Sequence, residues 1–198
     1  MTTRFDPKQV SKEGLSSLIK SSYEGTNKGA ETAMKEGFRL DRDLSNRQHK
    51  VYTDKDNNPH VVFTGTRTLG DVITDGALAL GLGRFTSRFQ DSKRIVNKVK
   101  DKYKKPVTAS GHSLGASLAE YSGANKVITF DKPVGLGDIE HRIKKNQVDI
   151  RTGTDPVSLL SFTQSGGKRI TIPKTNYANL IYAHNTDHLN KLKDNARF

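Results

Sequence analysis

The chain contains no cysteine, which excludes a disulfide framework and any thiolate metal site. That absence leaves the redox compartment open, because a cysteine-free protein survives in either. No apolar run approaches the roughly 18 residues of a membrane span. The opening residues, Met1-Thr2-Thr3-Arg4-Phe5-Asp6-Pro7-Lys8, lack an apolar signal-peptide stretch, so secretion by that route is not expected. Apolar residues are scarce overall: 33% of 198 residues, with a mean hydropathy of −0.68. Typical globular domains carry about 45–50% with glycine included. The length still fits a single domain over residues 1–198 with one core, and the long polar stretches are expected to lie outside that core.

Positive charge is abundant instead. Lys and Arg number 33 against 21 Asp and Glu, a formal net charge of +12. Such a field attracts polyanions, whether nucleic acid, anionic lipid or an acidic protein surface, and composition alone does not choose among them. The 17 glycines favour a fold rich in tight turns.

Residues 8–38 are polar and helix-prone, with Val10, Leu15, Leu18 and Ile19 on one face; residues 1–48 read as a peripheral helical N-terminal layer. Val51-Tyr52-Thr53 and His60-Val61-Val62-Phe63-Thr64 read as strands around the turn Asp54 to Pro59, hence a hairpin. Residues 88–105 suit an amphipathic helix, with Phe89, Ile95, Val96, Val99 and Tyr103 inward and a lysine-rich outer face. Val107-Thr108-Ala109-Ser110 reads as a buried strand, Gly111 to Gly115 as a sharp turn, Leu114 to Ala124 as a helix and Val127-Ile128-Thr129-Phe130 as a second strand. That order is a βαβ unit, which implies parallel strands with a helix across one face. Strands at Val148–Arg151 and Arg169–Ile172 and a short helix over residues 184–194 complete a three-layer α/β pattern.

Gly111-His112-Ser113-Leu114-Gly115 is a Gly-x-Ser-x-Gly sequence between a β-branched strand and a small-residue helix. Its glycines let the backbone crowd through a turn that lifts the serine hydroxyl above the sheet edge. A serine hydroxyl needs a base, and the base needs an acid to orient it. His141 lies in a charged stretch and reads as a surface residue. His184 and His188 both lie where the base is expected. Their i, i+4 spacing would also suit two metal ligands on a helix, but no third ligand of matching pattern lies nearby, and neither a metal nor a cofactor is expected. For the acid, Asp155 follows a strand in Arg151-Thr152-Gly153-Thr154-Asp155-Pro156-Val157, while Asp131, Asp138 and Asp149 compete with it.

With these segments assembled, the chain resembles the class 3 (fungal-type) lipases of the α/β-hydrolase fold over residues 50–192. His60 to Thr66 looks like that family's strand ending in Phe-Arg-Gly-Thr/Ser, and Ser110 to Leu118 like its Gly-His-Ser-Leu-Gly-Gly elbow. Val127 to Gly135 is similar to its Thr-Phe-Gly-x-Pro-x-x-Gly segment. Asp155-Pro156-Val157 and Asp187-His188-Leu189 match its acid and histidine segments. The resemblance implies a compact, mostly parallel sheet flanked by helices, with Asp155 as acid and His188, not His184, as base. It implies oxyanion donors at Thr66 and Leu114, and lipid esters as substrate. The segment 67–83 matches the family's interfacial lid, and an ordinary buried helix fits it equally. Three departures stand out: Thr64 replaces the usual arginine, Ala116 the second elbow glycine, and Asp131 a glycine. Compact length, basic charge and the missing leader also resemble small lipase-like proteins encoded by viruses, which implies an intracellular or virion-associated protein. On this reading the charge serves an anionic membrane surface. The alternative is a catalytically inactive basic module that binds an acidic protein or a virion component; nucleic acid is disfavoured, because no recognition motif is present.

Overall fold

A computed structural model describes residues 10–66, 86–133, 143–153, 166–173, 185–193 and 196–198. Among them a seven-stranded sheet runs in sequential order. Its strands are β1 (Arg39–Asp41), β2 (His49–Thr53), β3 (Pro59–Phe63), β4 (Thr108–His112), β5 (Lys126–Phe130), β6 (Ile143–Thr152) and β7 (Gly166–Ile172). The first three strands pair antiparallel, and β3 through β7 are parallel. The expected hairpin is present with Val51 opposite Val61. Its turn is held by Asp54, which accepts from the backbone of Asp56 and Asn58. β1 is additional to the strands expected from pattern; three residues are too few to show a period.

Two helical layers cover the sheet. On one face lie α3 (Thr86–Tyr103) and α4 (Leu114–Tyr121), packing Ile95, Val96, Val99, Leu118 and Ala119 against Val51, Val61, Phe63, Ala109 and Val127. Helix α3 ends where Lys104 turns to φ +51°, two residues before Pro106 bars any continuation. On the other face lie α1 (Lys12–Tyr23) and α2 (Thr26–Met34). Ser11 caps α1 by accepting from Gly14 N–H at 3.0 Å, and Leu15, Leu18 and Ile19 meet Tyr52, Val62, Ile128, Phe130 and Ile150 in the core. These three side chains are essentially inaccessible to solvent; burying each stabilises the fold by about 1.5–3 kcal/mol.

The carboxyl-terminal end of α1 docks onto the sheet through polar contacts. The Lys50 ammonium donates to the carbonyls of Ser21 and Glu24, and Thr64 Oγ1 donates to Ser22 O at 2.9 Å. A cation at this end of a helix meets the last unsatisfied carbonyls and the negative end of the dipole.

At the far end of the chain a 3₁₀ helix spans Thr186–Lys191. It is tighter and shorter than the helix expected over 184–194. Asn185 caps it by accepting from Asp187 N–H, and it lies against α1. No helix among the described residues is long and apolar enough to cross a membrane.

Candidate active site

In open α/β sheets ligands bind beyond the carboxyl ends of the parallel strands, and the candidate residues that the structure describes gather at that edge. Ser113 follows β4 directly and adopts φ 57°, ψ −131°, a conformation that ordinary residues seldom enter. It is 4% exposed, and its N–H donates to Phe130 O at 3.0 Å, tying the turn to the neighbouring strand. Helix α4 begins at the next residue, so the Leu114 N–H is among the first four of a helix, which have no intrahelical acceptor.

Glycine is required around this turn for want of space. A Cβ at Gly111 would collide with the backbone of Gly115, and one at Gly115 with the carbonyl of Phe63. One at Gly65 would meet the Tyr23 hydroxyl and His112 O. The end of β3 therefore lies flush against the turn at Ser113, with half-buried Thr66 immediately beyond. Arg88, arriving from α3, donates to Thr64 O at 2.7 Å; burial pushes its guanidinium pKa down. His112 is buried, and its Nδ1 lies 3.0 Å from the Tyr23 hydroxyl.

His188 comes to the same edge from the 3₁₀ helix and is 3% exposed. Leu189 beside it is sealed in the core, and Asp187 on its other side pairs with Lys20 of α1 at 2.7 Å. His188 Nδ1 lies 3.2 Å from Thr152 Oγ1, at the end of β6. Thr152 in turn meets Asp131, at the end of β5, through both its N–H and its hydroxyl. The structure thus brings Ser113, Asp131, Thr152 and His188 to one edge. Among the described residues, no hydrogen bond joins Ser113 Oγ to His188. Asp155, His141, His184, Asp138 and the segment 67–83 lie outside the described residues.

The Asp131 turn is anchored from below. Lys132 Nζ contacts both oxygens of Glu120 on α4, at 3.0 and 2.9 Å, with side chains 1% and 3% exposed. Gln147 adds a donor to Glu120 at 3.2 Å. Asp149, on the same face of β6, accepts from Thr129 Oγ1. That contact ties β6 to β5. No group of three or more His, Asp or Glu fit to hold a metal occurs among the described residues.

A tight turn at Ser113 with positive φ, between a parallel strand and the helix crossing back over it, decides the architecture. The chain has the α/β-hydrolase fold. Solved structures agree. A Rhizomucor miehei lipase in a propeptide complex is 15% identical with a TM-score of 0.55, matching 81% of this chain and 67% of its own. Lip2 lipase from Yarrowia lipolytica is 15% identical with a TM-score of 0.53, matching 84% and 82%. A fungal lipase–inhibitor complex is 16% identical with a TM-score of 0.52, matching 80% and 77%. No protein-family model matches the chain, and no curated protein does. At such identities the likeness is one of hydrolase fold, carried by strand order and the turn at Ser113.

Two residues at this sheet edge carry no signal in the sequence. Thr152 is an ordinary β-branched residue in a strand, and Tyr23 lies upstream of the segments that resemble the lipases. Asp131 was legible in two ways, as a competitor of Asp155 for the acid and as a charge at a position where the resemblance has glycine.

Proposed function

We propose that the chain is a serine carboxylic ester hydrolase acting on lipid esters. The observation that carries the reading is the backbone of Ser113, at φ 57° in a glycine-crowded turn ahead of a helix N-terminus. That geometry lifts a hydroxyl clear of the sheet edge, and folds seldom hold a non-glycine residue there without a use for it. Ser113 attacks the ester carbonyl, and His188 accepts its proton. Asp155 orients His188, as the lipase resemblance implies. The N–H groups of Thr66 and Leu114 receive the tetrahedral oxyanion, a role in which one donor is worth about 10²–10³ in turnover. Water activated by His188 then releases the acyl group. Acylglycerols or glycerophospholipids are the substrate class, and the +12 charge concentrates the enzyme on anionic membrane surfaces.

Labelling with a fluorophosphonate tests the chemistry. The folded parent is expected to label, while Ser113→Ala and His188→Ala do not. A folded parent that stays unlabelled would indicate a catalytically inactive basic module. Activity on anionic vesicles is expected to fall steeply with salt while activity on a neutral soluble ester does not, because screening weakens only the surface attraction. Equal salt responses would remove the membrane part of the proposal.

A further inference from the structure

Asp131 stands where glycine would be conformationally free. Its φ is +44°, in the left-handed region that glycine enters readily and other residues enter at a cost. It is also fully buried. Both of its oxygens engage one residue: Oδ1 accepts from Thr152 N–H at 2.6 Å, and Oδ2 accepts from Thr152 Oγ1 at 3.0 Å.

A carboxylate only accepts hydrogen bonds, and a hydroxyl has one proton to donate. With that proton directed at Asp131, Thr152 Oγ1 turns its lone pairs toward His188 Nδ1, 3.2 Å away. That contact is a hydrogen bond only if Nδ1 carries the ring proton. Nε2 then keeps its lone pair. A neutral imidazole in water favours the opposite tautomer, protonated on Nε2, in which Nε2 has no lone pair left to accept the serine proton.

We infer that Asp131 and Thr152 are a positioning pair that, alongside the orienting Asp155 of the proposed triad, favours the Nδ1–H tautomer of His188 and so leaves Nε2 as the acceptor of the Ser113 proton. This rests on the reading of His188 as the base for Ser113. The pair acts through the ring and needs no contact with substrate. Its negative charge, one hydroxyl removed, also favours the imidazolium formed during turnover, as an orienting aspartate does in other serine hydrolases. Strain at Asp131 and the Lys132–Glu120 anchor then serve one purpose: they hold a carboxylate under Thr152.

Two readouts test this, the fluorophosphonate labelling rate of Ser113 and the ¹⁵N NMR signature of neutral His188, assigned by its loss in His188→Ala. The parent is expected to show Nδ1–H. Thr152→Val keeps the side-chain volume, removes the hydroxyl, and is expected to shift the ring toward Nε2–H. Labelling should slow at least ~10-fold, inside the roughly 10²–10⁴-fold that general-base catalysis supplies. Thr152→Ser should restore both readouts. Asp131→Asn, which tolerates the same φ, should slow labelling in the parent background but add much less in Thr152→Val, because the tautomer part of its effect passes through that hydroxyl and only the charge part remains. Parental labelling and an Nδ1–H ring in Thr152→Val would overturn the inference and leave the hydrolase reading intact. So would silence of Asp131→Asn beside loss of labelling in Asp155→Asn. A folded parent without Ser113-dependent labelling would instead sink the hydrolase reading, and the inference with it.

Discussion

The candidate nucleophile and its candidate base sit at one sheet edge but are held there by different physics. Ser113 is placed by short-range sterics: glycines at 111 and 115 clear the path of a tight turn, and Ala116 and Ala119 bring α4 onto the sheet with no exposed surface. His188 is placed by polar contacts between distant parts of the chain. Lys12 Nζ donates to Leu192 O across 180 residues of sequence, Lys20 pairs with Asp187, and Val10 and Phe198 exchange backbone hydrogen bonds at 2.8 and 2.9 Å. A half built by close packing tolerates almost no change of shape. A half built from several weak polar ties loses them one at a time.

Breaking the packed half should have the largest effect. Gly115→Ala drives a methyl into the Phe63 carbonyl and lies 3.0 Å from Gly65 N. Backbone offers no soft escape, so a loss above about 4 kcal/mol is expected, read as a collapse of the urea midpoint together with labelling. A mild shift would show that β3 can move away from the elbow.

Next in size is the buried Lys132–Glu120 pair that joins the two halves. Lys132→Met removes the ammonium that contacts both oxygens of Glu120, and breaking one side of a buried ion pair costs about 3–5 kcal/mol. Lys132→Met with Glu120→Leu should recover much of that in chemical denaturation, since the cost belongs to the stranded charge. An additive double mutant would show that the pair is not the source of the loss.

Asp41 supplies a control away from the edge. Burial opposes its ionisation, but hydrogen bonds from Lys102 and Tyr103 outweigh it and hold the carboxyl below its ordinary 3.8. Its stabilising contribution is therefore complete above about pH 4 and lost as the pH falls further. The acid limb of thermal stability should flatten in Asp41→Asn, while the labelling rate at neutral pH stays parental.

Smallest of all is the exposed tie. Lys20 and Asp187 are 37% and 61% exposed, so Lys20→Ala should cost no more than about 1 kcal/mol and less in high salt. A larger loss of stability would mean that the 3₁₀ helix hangs on this pair more than on Leu189.

Much of the scaffold was legible because it follows local rules. Short β-branched runs on either side of the Asp54–Pro59 turn marked β2 and β3, the small-residue run after Ser113 marked α4, and the stripe Ile95, Val96, Val99 marked the buried face of α3. The turn at Ser113 was legible for the same reason, since only glycine permits it. Thr152 was not, because a threonine in a strand looks alike whether it meets solvent or a histidine. The docking of α1 was half legible: its apolar face showed in Leu15, Leu18 and Ile19, while the acceptance of its carboxyl end by Lys50, Tyr52 and Thr64 did not.

By itself the sequence determined where a nucleophile can stand, because a five-residue turn is constrained by contacts within those five residues and the strand beside them. Only the tertiary structure decided how His188 is held. Its ring meets Thr152 at the end of β6, and its neighbour Asp187 pairs with a helix from the other end of the chain, contacts that exist once the sheet has closed and that no local pattern encodes.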